Sequence, residues 1–245
     1  MSLKTICFYT ETTGVDTDND RIITCFMRAK DGDKAVFERN WVIDPGVEVP
    51  EEAAAVHGMS TEWVRENGRK DWEEAISEIV ANLVDYGRWG FVIAGYNSSF
   101  DLAILEAEAK RSREDVVGIA FVKPQTRFID PIIFSRRFDK YRKGGHKLVD
   151  IARAHGFEVD EAQAHRADYD VEMTEFLIPK MLNLAWKNMP KERAGLTPDQ
   201  FIDKLQVWQA EWKKDWSSGL TTYFAKTGKL EEDGSPIVVS DAFPY

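Results

Sequence analysis

The sequence predicts an α/β protein built on a mixed sheet with helices packed against it. Three strand-like segments follow one another near the N-terminus, at 4–11, 21–30 and 35–44. After them strand patterns alternate with helical ones, the order expected of helices layered on a sheet. A short continuous apolar run, "GFVIAGYN" at 90–97, has the composition of a strand buried on both faces.

Each element has its own warrant. "KTICFYTE" is rich in β-branched and aromatic residues, and "RIITCFMRAK" and "AVFERNWVID" flank "DGDK", a hairpin-turn candidate. "DPGVEVPEE" leads into a helical stretch. In "DWEEAISEIVANLVDYG" the residues Trp72, Ile76, Ile79, Val80 and Leu83 mark one face of a helix. "SFDLAILEAEAKR" is helical, and "TRFIDPIIFSRR" reads as a strand end followed by a helix. "HKLVDIARAHG" closes on Gly156, and "HRADYDVEMTEFLIPKMLNLAWK" is the last helix of this set. Further on, Thr197-Pro198-Asp199-Gln200 forms a capping box with proline at the first helical position. Phe201, Leu205, Trp208 and Trp212 follow at helical spacing, which predicts a helix to about Trp216. The tail "SPIVVSDAFPY" is expected to add a strand or to lie along the surface. The expected division is a domain over 1–185 and a helical C-terminal extension with its tail over 186–245.

Composition narrows the function classes. A hydrophobic share of 43% and a charged share of 30% describe a globular chain, not a disordered or fibrous one. No apolar run reaches the ~18 residues needed to span a bilayer. The chain enters its first strand without the marks of a signal peptide, and Cys7 and Cys25 sit in apolar, strand-like surroundings that offer no disulfide framework. A reducing, cytoplasmic setting is the expectation. The net charge of −10 argues against a general nucleic-acid coat protein. It does not exclude an enzyme acting on nucleic acid, because local patches outweigh totals. One patch is "RRFDKYRKGGHK", Arg136 to Lys147, with six Lys/Arg against one Asp and Phe138 and Tyr141 interleaved. Both a solvated loop and a track for a nucleic-acid backbone fit it.

Three carboxylates and a histidine stand at the ends of separate elements. Glu11 lies at the end of the first strand, on the same face as Tyr9. Asp101 opens a helix after the buried strand, and Asp170 lies in the first turns of the last helix, five residues after His165. That distribution is the mark of a constructed site. Oxygen-only ligands suit Mg²⁺ or Mn²⁺, and a histidine not needed as a ligand is placed to be a general base. Each residue alone also has a bland reading: a surface acid, a helix cap, a dipole partner, a loop histidine.

Taken together, these residues resemble the DnaQ-like 3′→5′ exonucleases of the DEDDh group, the proofreading-subunit type. The first family motif, Asp-x-Glu-Thr-Thr-Gly, corresponds to "YTETTG", Tyr9 to Gly14. The second is "NSSFD", Asn97 to Asp101, and the third is "HRADYD", His165 to Asp170. A further signature appears as "HGMS", His57 to Ser60. The resemblance covers roughly residues 5 to 180, about three quarters of the chain, and four motifs in order make it specific.

The resemblance implies a ribonuclease-H-like fold, here a five-stranded mixed sheet flanked by helices, and hydrolysis of the 3′-terminal phosphodiester with two Mg²⁺ or Mn²⁺ ions. It implies that Glu11 and Asp170 bind the first metal, that Asp101 belongs to the metal site by holding metal-bound waters, and that His165 takes the proton from the attacking water. Thr12, Thr13 and Gly14 would approach the terminal nucleotide, with His57, Met59, Asn97 and Phe100 near its sugar and base. The implied partner is a single-stranded or frayed 3′ end of DNA, or of RNA, and a DNA polymerase or other replication protein is a further candidate. Tyr9 departs from the pattern, because the family has its metal-bridging aspartate there. A neutral phenol, with an ordinary pKa near 10, is a poor Mg²⁺ ligand and larger than a carboxylate. Two function classes stand: an exonuclease impaired by Tyr9, and a nucleic-acid-binding or scaffolding module that keeps the fold without turnover.

Overall fold

A computed structural model describes residues 3–112, 127–231 and 234–244. Its five strands are β1 (Lys4–Thr12), β2 (Ile22–Asp31), β3 (Lys34–Val42), β4 (Val92–Ala94) and β5 (Phe128–Ile129), in the sheet order β3-β2-β1-β4-β5. β1–β2 and β2–β3 pair antiparallel; β1–β4 and β4–β5 pair parallel. The sheet is therefore mixed and β1 is its central strand. β4 and β5 are shorter than their apolar runs in sequence, because the chain leaves the sheet at Gly95 and Asp130 to start the next helices.

The helices among the described residues are α1 (Glu51–His57), α2 (Thr61–Asn67), α3 (Trp72–Arg88), α4 (Ser99–Arg111), α5 (Pro131–Phe138), α6 (Leu148–Ala154), α7 (Ala167–Asn188) and α8 (Pro198–Thr227). The helical stretch expected after residue 50 is two helices. Gly58 turns the chain at φ 78°, and Ser60 caps α2 by accepting the Trp63 amide at 3.2 Å. α8 continues past Trp216 to Thr227, since Leu220 and Phe224 extend the apolar spacing until Gly228 closes the helix at φ 69°. The tail lies along the surface: the Val239 amide bonds Thr221 Oγ1 at 3.0 Å, and Phe243 packs edge-on to Phe128 with ring centroids 5.9 Å apart.

Strand alternation gives the sheet two apolar faces. Ile6 and Phe8 face α3 and α4, packing with Ile76, Ile79, Leu83, Leu102 and Leu105. Cys7 and Tyr9 face the layer of α5 to α8, with Phe134, Ile151, Leu177, Phe201 and Trp212. Cys25 belongs to the first face and Cys7 to the second, both as free thiols. The expected domain boundary after residue 185 falls within the last turn of α7, and α8 joins the same apolar cluster as α7. No described helix is long and apolar enough to cross a membrane.

α8 also completes the sheet. Among the described residues β5 is the outer strand, and its backbone polar groups have no further described strand to bond. Gln206 Oε1 accepts the Phe128 amide at 3.0 Å, while Gln209 accepts the Asp130 amide at 2.9 Å and donates to the Phe128 carbonyl at 2.7 Å. Gln209 is fully buried, so these bonds replace a missing strand in a dry environment.

Candidate active site

β1 delivers the first carboxylate. The register slips between Glu11 and Thr12, which pair with Thr24 and Ile22, so β2 carries one extra residue there and the strand end bends. Beyond it, Asp20 fastens the turn by accepting the Thr13 hydroxyl and the Asp16 amide, each at 2.8 Å. A side chain at Gly14 would collide with that Asp20 carboxylate, which is the local reason for a glycine here.

α4 brings the second carboxylate to the same place. The β1–β4 ladder ends at the Cys7–Ala94 pair, leaving Thr10 without a strand partner on that side. Asp101 Oδ1 fills the gap, accepting the Thr10 amide at 2.9 Å and its hydroxyl at 2.7 Å. The turn that aims α4 is held by Asp130, whose carboxylate accepts the amides of Asn97 and Ser98 at 3.0 and 3.1 Å. Asn97 is left-handed there, at φ 56°.

α7 supplies the third. Asp170 sits in its first turn, buried, and its carboxylate lies in electrostatic reach of His165 and the Tyr9 phenol. His165 is exposed and also left-handed, at φ 67°. Asn97 and His165 are the two non-glycine residues at positive φ among the described residues, and both line the same cavity.

That cavity, of about 350 Å³, opens at the carboxyl end of β1. It gathers Tyr9, Glu11, Asp101, His165 and Asp170, with Thr12, Gly14, Asn97 and Phe100 along its walls. Burial lifts the Glu11 carboxyl to about 8, helped by the charges of Asp170 and Asp101. Burial likewise lifts Asp101 to about 7, against the pull of its bonds from Thr10. Asp170 rises to about 6 through burial, moderated by His165 and Tyr9. Burial and the three acids hold the Tyr9 phenol well above its ordinary value, so it stays protonated and acts as a donor.

The donor set suits a hard cation in chemistry: oxygen atoms only, one of them a buried Glu11 oxygen with no hydrogen-bond partner. Three carboxylates whose pKa values are all raised are what a divalent ion would relieve. The described residues nevertheless do not draw three His, Cys, Asp or Glu side chains into one metal-holding group. The phenol is in electrostatic reach of Asp170, Glu11 and Asp101. The residues thus fit a cation at Glu11 and Asp170, with Tyr9 supplying no anionic oxygen to a second.

Three other residues expected at the site lie outside the cavity wall. Thr13 is committed to the turn, its hydroxyl on Asp20 and its amide on the Arg21 carbonyl at 2.9 Å. His57 packs behind Thr12, its Nδ1 accepting the Met59 amide at 3.2 Å, and burial lowers its pKa. Its Nε2 faces the Thr12 backbone in a contact too poorly aligned to satisfy it. Met59 packs on Ile23, Val49 and Val64. Conversely, Tyr96, Lys147, Leu148 and Val149 line the cavity and were not singled out in the sequence. Lys147 ends the basic segment, a signal that could have found it; the apolar pair carried none.

Comparison with known proteins bears on the family and the fold. A family model described as an exonuclease matches residues 6–176. An uncharacterized exonuclease, CP81, of Escherichia phage 186 is 30% identical over 172 residues, covering 67% of this chain and 81% of that protein. A PolC-type DNA polymerase III of Lacticaseibacillus paracasei is 27% identical over 202 residues, covering 79% of this chain and 13% of the polymerase. Among solved structures, E. coli exonuclease I in complex with a dA16 oligonucleotide superposes with a TM-score of 0.61 at 16% identity, over 78% of this chain and 42% of that one. Exonuclease I from Methylocaldum szegediense gives 0.59 at 20% identity, over 77% and 41%. The chain thus spans less than half of these exonuclease I structures, and the likeness establishes the ribonuclease-H-like fold.

Proposed function

The chain belongs to the exonuclease family, and from that premise we propose that it removes nucleotides from the 3′ end of DNA with divalent cations, at a rate held low by Tyr9. The observation that carries this reading is the meeting of Glu11, Asp101, Asp170 and His165 in one cavity. A single-stranded or frayed end suits the site, because only an unpaired strand can enter a pocket of about 350 Å³. The likeness to exonuclease I bound to an oligonucleotide supports DNA as substrate, and the PolC-type relative supports a replication or repair setting with a polymerase as candidate partner.

Water attacks the terminal phosphorus, its proton passes to His165, and the bond to the preceding nucleotide's 3′ oxygen breaks, that oxygen taking a proton from solvent as a mononucleotide is released. His165 is exposed, so it can return that proton to solvent. Asp101 fixes the end of β1 through Thr10 and so sets where Glu11 points. Phe100, Leu148 and Val149 offer an apolar wall to the terminal sugar and base, and Lys147 a charge to a phosphate. Mg²⁺ or Mn²⁺, held by Glu11 and Asp170, supplies Lewis-acid charge at the scissile phosphate when bound.

A second reading, a module that binds 3′ ends without cutting, is favoured by one observation, the Tyr9 phenol beside Asp170. The polarity test is mononucleotide release from 3′-labelled and 5′-labelled single strands by the chain and its Tyr9→Asp variant in Mn²⁺. Label should leave the 3′-labelled strand first. Release from the 5′ end, or internal fragments, would overturn the reading.

A further inference from the structure

A second concavity, of about 440 Å³, lies between α5 and α8. Its walls carry Arg136, Arg137, Lys140, Trp212, Trp216 and Tyr223, with Asp215 as the one acid among them. The cations and rings are interleaved. The Arg136 guanidinium stacks 4.3 Å from the Trp216 ring, and that of Arg137 lies 5.8 Å from Trp212. On a chain of net charge −10 such cations are commonly neutralised, as Arg127 is by Asp199 and Asp203, each at 2.7 Å. Arg136 is not: its Nε is buried with no partner, and burial pulls its pKa down. Among the described residues Arg136 forms no ion pair, and the groove sets three cations against the single acid Asp215.

The groove also adjoins the catalytic cavity. His146 lines the groove and its neighbour Lys147 lines the cavity. The wall they share is fixed, since Tyr96 Oη donates to the His146 carbonyl at 2.6 Å and Ser135 Oγ meets His146 Nδ1 at 3.0 Å. We infer that this groove holds the single strand upstream of the 3′ terminus, with phosphates on Arg136, Arg137 and Lys140 and a base on Tyr223 or the edge of Trp216. The inference rests on the exonuclease reading and deepens it. Cations that follow a backbone beside rings that accept any base are the chemistry of sequence-tolerant single-strand binding. Arg142, by contrast, is occupied: it donates to the Gly145 carbonyl at 2.8 Å and to the Asp150 carbonyl at 3.3 Å, so it shapes the loop.

The test measures binding of 3′-fluorescent oligodeoxythymidylates, short enough to fill only the cavity or long enough to reach the groove, in EDTA across a salt series. The intact chain should bind the long strand more tightly. The Arg137→Ala/Lys140→Ala variant, altered at two exposed side chains, should bind it about tenfold more weakly with a salt slope flatter by about two. Its hold on the short strand should not change. Iododeoxyuridine placed upstream should cross-link to Trp216 or Tyr223, read by mass spectrometry. Equal affinity for both lengths, or a double variant that behaves as the intact chain, overturns the groove assignment and leaves the exonuclease reading standing. Failure to bind either length removes both. Cross-linking elsewhere, together with capture of an oligo-aspartate peptide in the groove, would make it a protein-docking surface and overturn the assignment.

Discussion

The Tyr9 phenol and the Asp170 carboxylate lie close enough to shift each other's ionisation, where the end of β1 meets the first turn of α7. An acidic residue at position 9 would instead repel Asp170, unless a cation stood between them. A neutral phenol at this position spares Asp170 that repulsion.

Replacing that phenol tests the substitution directly. Tyr9→Asp should bind Mn²⁺ with measurable heat and release 3′ nucleotides orders of magnitude faster than the chain itself, since a metal site supplies several kcal/mol of transition-state stabilisation. Adding His165→Ala should remove about two to four of those orders. Nucleotide release from a 3′-labelled strand measures both. A folded Tyr9→Asp protein that binds Mn²⁺ yet cuts nothing would sink the exonuclease reading in favour of the binding module.

Stability without metal should fall as pH rises. Glu11 is held at about 8 against an ordinary 4.5. Between those values the folded chain keeps a proton that the unfolded chain has released, so its contribution is complete below the lower value and lost through the upper one. Asp101, lifted from 3.8 to about 7, adds to the same slope. In EDTA the melting temperature should decline from about pH 5 to about pH 8.5. Glu11→Gln should flatten that decline, and Mg²⁺ should raise the melting temperature more at the alkaline end. An unaltered slope in Glu11→Gln would show that the crowding of acids is not felt.

Asp130 lies deep beneath the site and holds three amides, those of Asn97, Ser98 and Ile132. Asp130→Ala leaves them without an acceptor and should cost about 2–4 kcal/mol in urea unfolding. The site should suffer as well, because Asn97 would lose what keeps it left-handed. A cost below about 0.5 kcal/mol would mean that the turn is held by other contacts.

Cys7 and Cys25 are both wholly buried, on opposite faces of the sheet. Neither should react with a thiol reagent in the native protein, and single-cysteine variants should label only as fast as each apolar layer opens. Prompt labelling of either would contradict the packing.

Much of this was legible in local sequence, and the rest was not for physical reasons. β1 to β3, α3, α4 and α7 carry their periodicity in consecutive residues. Motif spacing likewise led to Glu11, Asp101, His165 and Asp170, which the structure brings to one cavity. Asp130 read only as a strand end before a proline. Its weight comes from Asn97 and Gln209, which are distant in the chain. Arg142 looked like any other cation in a basic run, and only the folded loop shows it bonded to two carbonyls. Gly14 lines the cavity as its motif suggests, while the Asp20 carboxylate that a side chain there would meet is brought in only by the folded turn. The length of α8 was underestimated because Ser217, Ser218 and Gly219 lower helix propensity, which packing against α5 and β5 overrides.

The two glutamines of α8 that pair with β5 have a bearing on how the molecule behaves in company. A strand end with free amides and carbonyls is an invitation to a second molecule, and a parallel core laid open at one side recruits copies of itself. Gln206 and Gln209 close that side with groups that cannot propagate a ladder. Cut before α8, the remaining polypeptide would gain an adhesive rim, and self-association rather than simple loss of activity would be its first symptom.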